Sequence, residues 1–328
     1  MKLSYEYDLT VATVCRNARA YLPRCIGSVQ PLYGLGLRVE HLLVDGCSDD
    51  GTVEYLQEQL DAGCITRFIS ESDAGLYDAM NKAIRLAKGQ IIVFINADDE
   101  ICPDAVAACC EPILSGRVEY TVARAMYVSG KKEAYMNPRM ESVLWSQPYC
   151  HQSMYCAVEM LSRVGGFRGE MFNVAADTDL MRRLYAMQVP YECVDAVASR
   201  FHDGGVSSSV KVYREVYELT LHHVDLYCLE IQRKLDCLAD VFKHFCRVTS
   251  RALVHMAPGE VARETERMSG FLQQVRASAS PEKLARCKRY YCFKAIRSSL
   301  VGLIRRGRKR QISKQLAFVC RLVYLNLR

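Results

Sequence analysis

Between Leu9 and Asp99 the sequence alternates short apolar runs with amphipathic stretches, and the polar residues gather where the apolar runs end. The runs "LTVATVC" (9–15), "VEHLLVD" (39–45), "CITRFIS" (64–70) and "QIIVFIN" (90–96) are strand-sized and rich in β-branched residues. Between them, Leu22, Ile26 and Val29 fall on one helical face, as do Val53, Leu56 and Leu60. Leu76, Met80, Ala83, Ile84 and Ala87 make a third stripe, for which Gly89 is the expected C-terminal stop. Strands alternating with helices predict an α/β unit: a mainly parallel, Rossmann-like central sheet flanked by helices.

In such sheets ligands bind in the crevice outside the carboxyl ends of the strands. Here Asn17, Asp45, Ser48, Asp49 and Asp73 collect at those ends, together with the adjacent pair Asp98 and Asp99. Two neighbouring carboxylates repel each other near an interior, so a cation or a donor network is expected against them. Beyond Pro103, "RVEYTVARAMYV" reads as a strand and "SGKKEAY" as a polar hairpin, and Asp177 with Asp179 stands at the mouth of the helix "LMRRLYAM". After Ser209 the pattern changes to long helical segments. A catalytic domain over 1–209 and a helical region over 210–328 are therefore expected.

A chain of 328 residues, half of them hydrophobic, can bury a sizeable core. Sixteen cysteines are scattered without a C-x-x-C pair or a Cys/His set at zinc spacing, which favours small apolar residues in a reducing compartment. Glu6 and Asp8 interrupt any secretory h-region, and no run reaches the roughly 18 apolar residues that span a bilayer. The net charge of +6 conceals an asymmetry. Residues 281–328 carry 14 Lys and Arg against one acidic residue, leaving 29 basic and 36 acidic residues elsewhere.

Several motifs, in order, resemble the inverting family 2 glycosyltransferases of the GT-A fold, which transfer sugars from nucleotide-diphospho-sugars, many of them in bacterial polysaccharide synthesis. They are "TVCRNA" (13–18), "VDGCSDDGT" (44–52), "ESDAGLYDAMNKA" (71–83), "NADD" (96–99), "HQSMY" (151–155), "GGF" (165–167), "AADTDL" (175–180) and "GGVSS" (204–208). The third is the most specific. Two departures stand out: Arg16 where Tyr is usual, and Asn96 in place of the first Asp of the metal motif.

The resemblance implies a divalent cation, Mn²⁺ or Mg²⁺, held by Asp98 and Asp99, with His202 as a further ligand. Thr13, Asn17, Asp45, Asp73 and Asp98 would contact the donor, and His151 with Gln152 would lie on the acceptor side. Asp177 would be the general base that deprotonates the acceptor hydroxyl. Each assignment has a plainer alternative. Asp177 could cap its helix, Asp45 and Asp73 could serve their own loops, Asp78 could complement a helix dipole, and His202 or Trp145 could be structural. Asp179 is expected to orient the loop beside the base.

The implied function is inverting transfer of a sugar to a saccharide or lipid-linked saccharide in cell-surface polysaccharide synthesis. Two rivals remain at this point: a sugar-nucleotide nucleotidyltransferase, for which "TVCRNARAYL" lacks the Gly-rich basic loop, and a non-catalytic saccharide- or partner-binding module on the same fold. Phe293, Ile296, Leu300, Leu303 and Ile304 in the basic tail fit one apolar face bordered by cations, the pattern of a helix lying in an anionic membrane interface. No nucleic-acid module accompanies the tail. A cytoplasmic protein, peripheral at the inner face of the membrane, is expected.

Overall fold

The computed structural model describes residues 5–144, 146–203, 211–233 and 258–281, with isolated residues between 241 and 252. The chain separates into two compact units, Met1–Val206 and Ser207–Arg328.

The first unit is built on one sheet with strand order β3-β2-β1-β4-β8-β6-β9-β5, and β7 pairs with β6 at the side. Strands β1 (Tyr7–Cys15), β2 (Val39–Asp45), β3 (Arg67–Ser70) and β4 (Gly89–Phe94) form its parallel half. All seven residues of β2 are buried, as expected for a strand covered on both faces. Helices α1 (Leu22–Val29), α2 (Thr52–Asp61) and α3 (Leu76–Leu86) connect these strands. Leu22, Cys25, Ile26 and Val29 of α1 face inward, and α3 turns Met80, Ala83 and Ile84 to the core.

Charge is buried inside this half without being left unpaired. Glu40, fully buried on β2, receives Arg67 Nη2 at 2.8 Å, Thr10 Oγ1 at 2.6 Å and the Lys88 amide at 2.9 Å.

Two details differ from the sequence reading. The third stripe begins at Tyr77, because Leu76 is more than a third exposed. Gly89 is not the stop of α3 either, since that helix ends at Leu86 and Gly89 opens β4. Its requirement is proximity: a Cβ there would lie 2.6 Å from the Thr10 backbone nitrogen.

Beyond β4 the direction reverses. β8 (Met154–Ala157) is antiparallel to β4 and to β6 (Tyr120–Ser129), whereas β9 (Tyr191–His202) is parallel to β6. β5 (Glu100–Ile101) and β7 (Lys132–Met136) pair antiparallel with β9 and β6. Helices α4 (Pro103–Leu114), α5 (Val158–Arg163) and α6 (Ala176–Ala186) complete the unit. Because only β8 runs backward among the central strands, its first residues lie against the end of β4, where Tyr155 pairs with Val93.

The second unit contains α7 (Lys211–His222), α8 (Val224–Arg233) and a helix over Pro258–Ala277. Tyr217 Oη donates to Glu264 Oε2 at 3.1 Å, and Arg267 bridges Glu218 at 2.6 Å and Glu264 at 3.0 Å. Phe245 stacks on Phe271 with ring centroids 4.7 Å apart. Among the described residues no helix is long and apolar enough to cross a membrane. The "GGVSS" segment, Trp145 and the apolar face from Phe293 to Ile304 lie outside the described residues.

Candidate active site

The polar residues at the ends of β1, β2 and β3 are largely committed to one another. Asp45 is fully buried: its Oδ2 accepts the Ser48 amide at 3.0 Å and Ser70 Oγ at 2.7 Å, and its Oδ1 accepts Ser48 Oγ. Asn17 adopts φ +52°, donates its amide to Ser48 Oγ at 2.7 Å and accepts the Asp49 amide at 3.0 Å. This closes the β1 and β2 ends into one rigid loop pair. The Thr13 hydroxyl is buried between His41 Nε2 at 3.2 Å and Cys25 Sγ at 3.6 Å. Thr13 as a whole is fully buried and paired with Leu43 of β2. Asp73 Oδ1 accepts the Gly75 amide at 2.9 Å, and Oδ2 occupies the space a Cβ on Gly46 would need. A Cβ at 46 would displace that carboxylate.

At the end of β4 the two aspartates differ in environment. Asp99 is fully buried, its Oδ1 accepting the His202 amide at 2.7 Å and its Oδ2 accepting Gln152 Nε2. Burial pushes its carboxyl up to about 6. Asp98 is half-buried. Its backbone carbonyl accepts Arg24 Nη2, while its carboxylate has no hydrogen-bond partner among the described residues. The Asn96 Oδ1 atom two residues earlier is also buried and unpaired. The His202 imidazole is turned to Glu100, with Nε2 2.7 Å from Glu100 Oε2.

Asp177 lies in the first turn of α6 with 7 % of its surface exposed. It does not cap that helix, whose N-cap is Ala175 without a side-chain bond. Its Oδ1 accepts the Thr178 amide at 2.6 Å, and its Oδ2 accepts Gln147 Nε2 at 2.8 Å with His151 Nδ1 at 3.4 Å. His151 and Gln152 therefore link the two carboxylate positions: one reaches Asp177 and the next reaches Asp99. They share a short 3₁₀ turn immediately before the reversed strand β8.

The segment "GLYDAMNKA" is bonded to the residues that lead into α6. Tyr77 Oη donates to the Val174 carbonyl at 3.0 Å, just before α6, and its ring stacks on Phe167. Asn81 Nδ2 donates to the Phe167 carbonyl at 2.7 Å and Asn81 Oδ1 accepts the Phe167 amide at 2.9 Å. Asp179, fully buried, binds Arg183 Nε at 2.8 Å, and Arg183 donates to the Val164 and Gly166 carbonyls at 2.6 and 2.5 Å. Asp179 thus orients the "GGF" loop. Sequence reasoning named neither Gln147 nor Glu100; a lone Gln in a loop and a Glu after two Asp carry no pattern of their own.

Among the described residues no group of three or more His, Cys, Asp and Glu side chains could hold a metal ion. Among the unpaired oxygen atoms, the Asp98 carboxylate and Asn96 Oδ1 fit a hard cation bound through one protein carboxylate, with substrate phosphates and water as its remaining ligands.

Comparison with known proteins bears on the fold and the family. Over 210 residues the chain is 29 % identical to an uncharacterized glycosyltransferase of Mycobacterium tuberculosis, covering 61 % of this chain and 77 % of that one. It is 28 % identical over 201 residues to a chondroitin synthase of Escherichia coli, covering 60 % of this chain but 29 % of the synthase. The structure of residues 1–349 of TarS from S. aureus, in complex with UDP-GlcNAc, superposes with a TM-score of 0.59 at 16 % identity, over 83 % of this chain and 84 % of that one. This likeness identifies the GT-A fold. The profile described as Glycosyl transferase family 2 matches residues 10–176, and the chain belongs to that family of glycosyltransferases.

Proposed function

We propose that this glycosyltransferase moves a sugar from a nucleotide-diphospho-sugar to a hydroxyl of a saccharide, with inversion, in cell-surface polysaccharide synthesis. The observation that carries the reading is the pairing of a nearly buried Asp177 with Asp99 through the adjacent His151 and Gln152. It puts a candidate base and a strand-end carboxylate on opposite sides of one short turn. The names of relatives, a chondroitin synthase and a PGL/p-HBAD biosynthesis glycosyltransferase, support a saccharide or glycolipid acceptor.

In the proposed reaction a lone pair of the acceptor oxygen attacks the anomeric carbon. The bond from that carbon to the diphosphate oxygen breaks, its electrons leave on the diphosphate, and the acceptor proton passes to Asp177. Asp98, whose carboxylate is not committed within the described residues, is the residue that would hold Mn²⁺ or Mg²⁺; when bound, the cation neutralises charge building on the leaving group. Asp99 is the positioning carboxylate, fixing the end of β4 to β8 and β9. Asn17 and Asp73, on the loops that the buried Asp45 and Thr13 brace, would form the nucleoside side. The basic tail supports attachment to an anionic cytoplasmic membrane surface, where a lipid-linked acceptor would be met.

Calorimetry with UDP, GDP and dTDP, each with and without Mn²⁺, tests the donor half of this reading. A diphosphate that binds tightly only with the cation is expected. Equal affinity in EDTA would remove the cation from the scheme.

A further inference from the structure

Every described contact of the Asp177 carboxylate but one comes from the protein interior. The Thr178 amide and hydroxyl, at 2.6 and 3.3 Å, hold Oδ1, and His151 approaches Oδ2 from a side chain only 13 % exposed. Gln147 alone comes from an exposed position, four residues before the 3₁₀ turn, and its amide takes Oδ2 at 2.8 Å. A carboxylate oxygen offers two lone pairs in its plane, and here both on Oδ2 are approached. A hydroxyl that is to give its proton to Asp177 must come within about 3 Å of that carboxylate. The outward position it needs is the one Gln147 fills.

We propose that Gln147 is an acceptor-recognition residue: its amide occupies the place of the reacting hydroxyl on Asp177 and transfers to a neighbouring oxygen of the acceptor as that hydroxyl arrives. An amide is suited to this because it can donate through Nε2 and accept through Oε1. The acceptor class this favours is a sugar whose reacting hydroxyl has a second hydroxyl beside it, so that one group meets Asp177 and the other keeps Gln147 bonded. Without acceptor, the same contact shields the base from water and limits wasteful hydrolysis of the donor. The inference rests on Asp177 acting as the base in the function proposed above.

The test uses the full chain with UDP-N-acetylglucosamine and UDP-glucose, p-nitrophenyl glycosides as acceptors, and UDP release as readout. Gln147→Ala is expected to leave UDP affinity intact, to raise the acceptor KM about tenfold or more, and to raise acceptor-independent hydrolysis relative to transfer. Gln147→Asn, which keeps a shorter amide, should fall between. A merely structural role would shift the folding midpoint and leave the ratio of hydrolysis to transfer alone. If Gln147→Ala keeps both the acceptor KM and that ratio, Gln147 does not recognise the acceptor. If the wild type neither hydrolyses nor transfers from a bound nucleotide sugar, the underlying function fails, and this inference with it.

Discussion

His151 lies with Nδ1 3.4 Å from Asp177 Oδ2, and the residue that follows it, Gln152, binds Asp99 at the end of β4. A displacement of the short turn at one carboxylate is thereby transmitted to the other. Reactions that require a base and a leaving-group site at fixed separation gain from such a link, since small misplacements of reacting atoms are costly.

Asp177→Asn should retain donor affinity and lose transfer by roughly a hundredfold or more, because a base acts in the transition state. The amide is nearly isosteric, and Oδ1 can still accept from Thr178. Steady-state kinetics beside UDP calorimetry measure the two effects separately; undiminished turnover would return Asp177 to a structural role.

Asp98→Ala and Asp99→Ala should fail in different ways. The first removes a half-buried carboxylate with no hydrogen-bond partner among the described residues, so folding should be little changed while Mn²⁺-dependent UDP binding falls. The second strips partners from the buried Gln152 amide and His202 backbone, at a cost of about 1–3 kcal/mol for each group left unsatisfied. Urea unfolding and calorimetry on both variants distinguish them.

Asn81→Ala should loosen the loop that carries Phe167. Its amide pairs with both the carbonyl and the amide of Phe167, so removal leaves two backbone groups unpaired and should destabilise the chain by about 1–3 kcal/mol. Gly166→Ala should do the same by another route, because Gly166 has φ +56° and a Cβ there would press on Asn81 Oδ1. Both are expected to lower kcat more than UDP affinity.

Stability should also depend on pH through His41. Burial lowers this imidazole from 6.5 to about 3, so between those values the unfolded chain binds a proton that the folded chain does not. Its contribution is therefore present in full above pH 6.5 and is lost as pH falls toward 3, with a slope approaching about 1.4 kcal/mol per pH unit. Urea midpoints of wild type and His41→Gln between pH 4 and 8 check the sign. A parallel pH dependence in the two proteins would exclude His41 as its source.

The tail is expected to bind anionic vesicles in a salt-sensitive manner, each cation near the surface contributing about 1 kcal/mol. Replacing Arg305, Arg306, Arg308, Lys309 and Arg310 by Glu in the full chain should abolish co-sedimentation with phosphatidylserine-containing vesicles. Retention of binding after that change would place the attachment elsewhere.

The parallel half of the sheet was legible because burial on both faces leaves a local trace: β2 spans Val39–Asp45, the residues its apolar run marks. The carboxylates at its edge were legible for the same reason, since they punctuate those runs. β8 was less visible, because four residues entering a sheet against the prevailing direction carry no periodicity. Gly89 misled because a glycine after a helix signals a stop, while its actual constraint, the Thr10 backbone one strand away, is set by tertiary packing. Gln147 and Glu100 were missed because their importance comes from partners 30 and 102 residues away.

The backward course of β8 among the central strands has an evolutionary implication. Because β8 enters where β4 ends, the stretch between β7 and the 3₁₀ turn, which brings Gln147 to Asp177, is separate in sequence from the loops that follow β1, β2 and β3. On the proposed function, substitutions or length changes in that stretch would remodel which sugar is received while the loops proposed for the activated donor stay fixed. Descendants of such a scaffold can exchange recipients while keeping their currency.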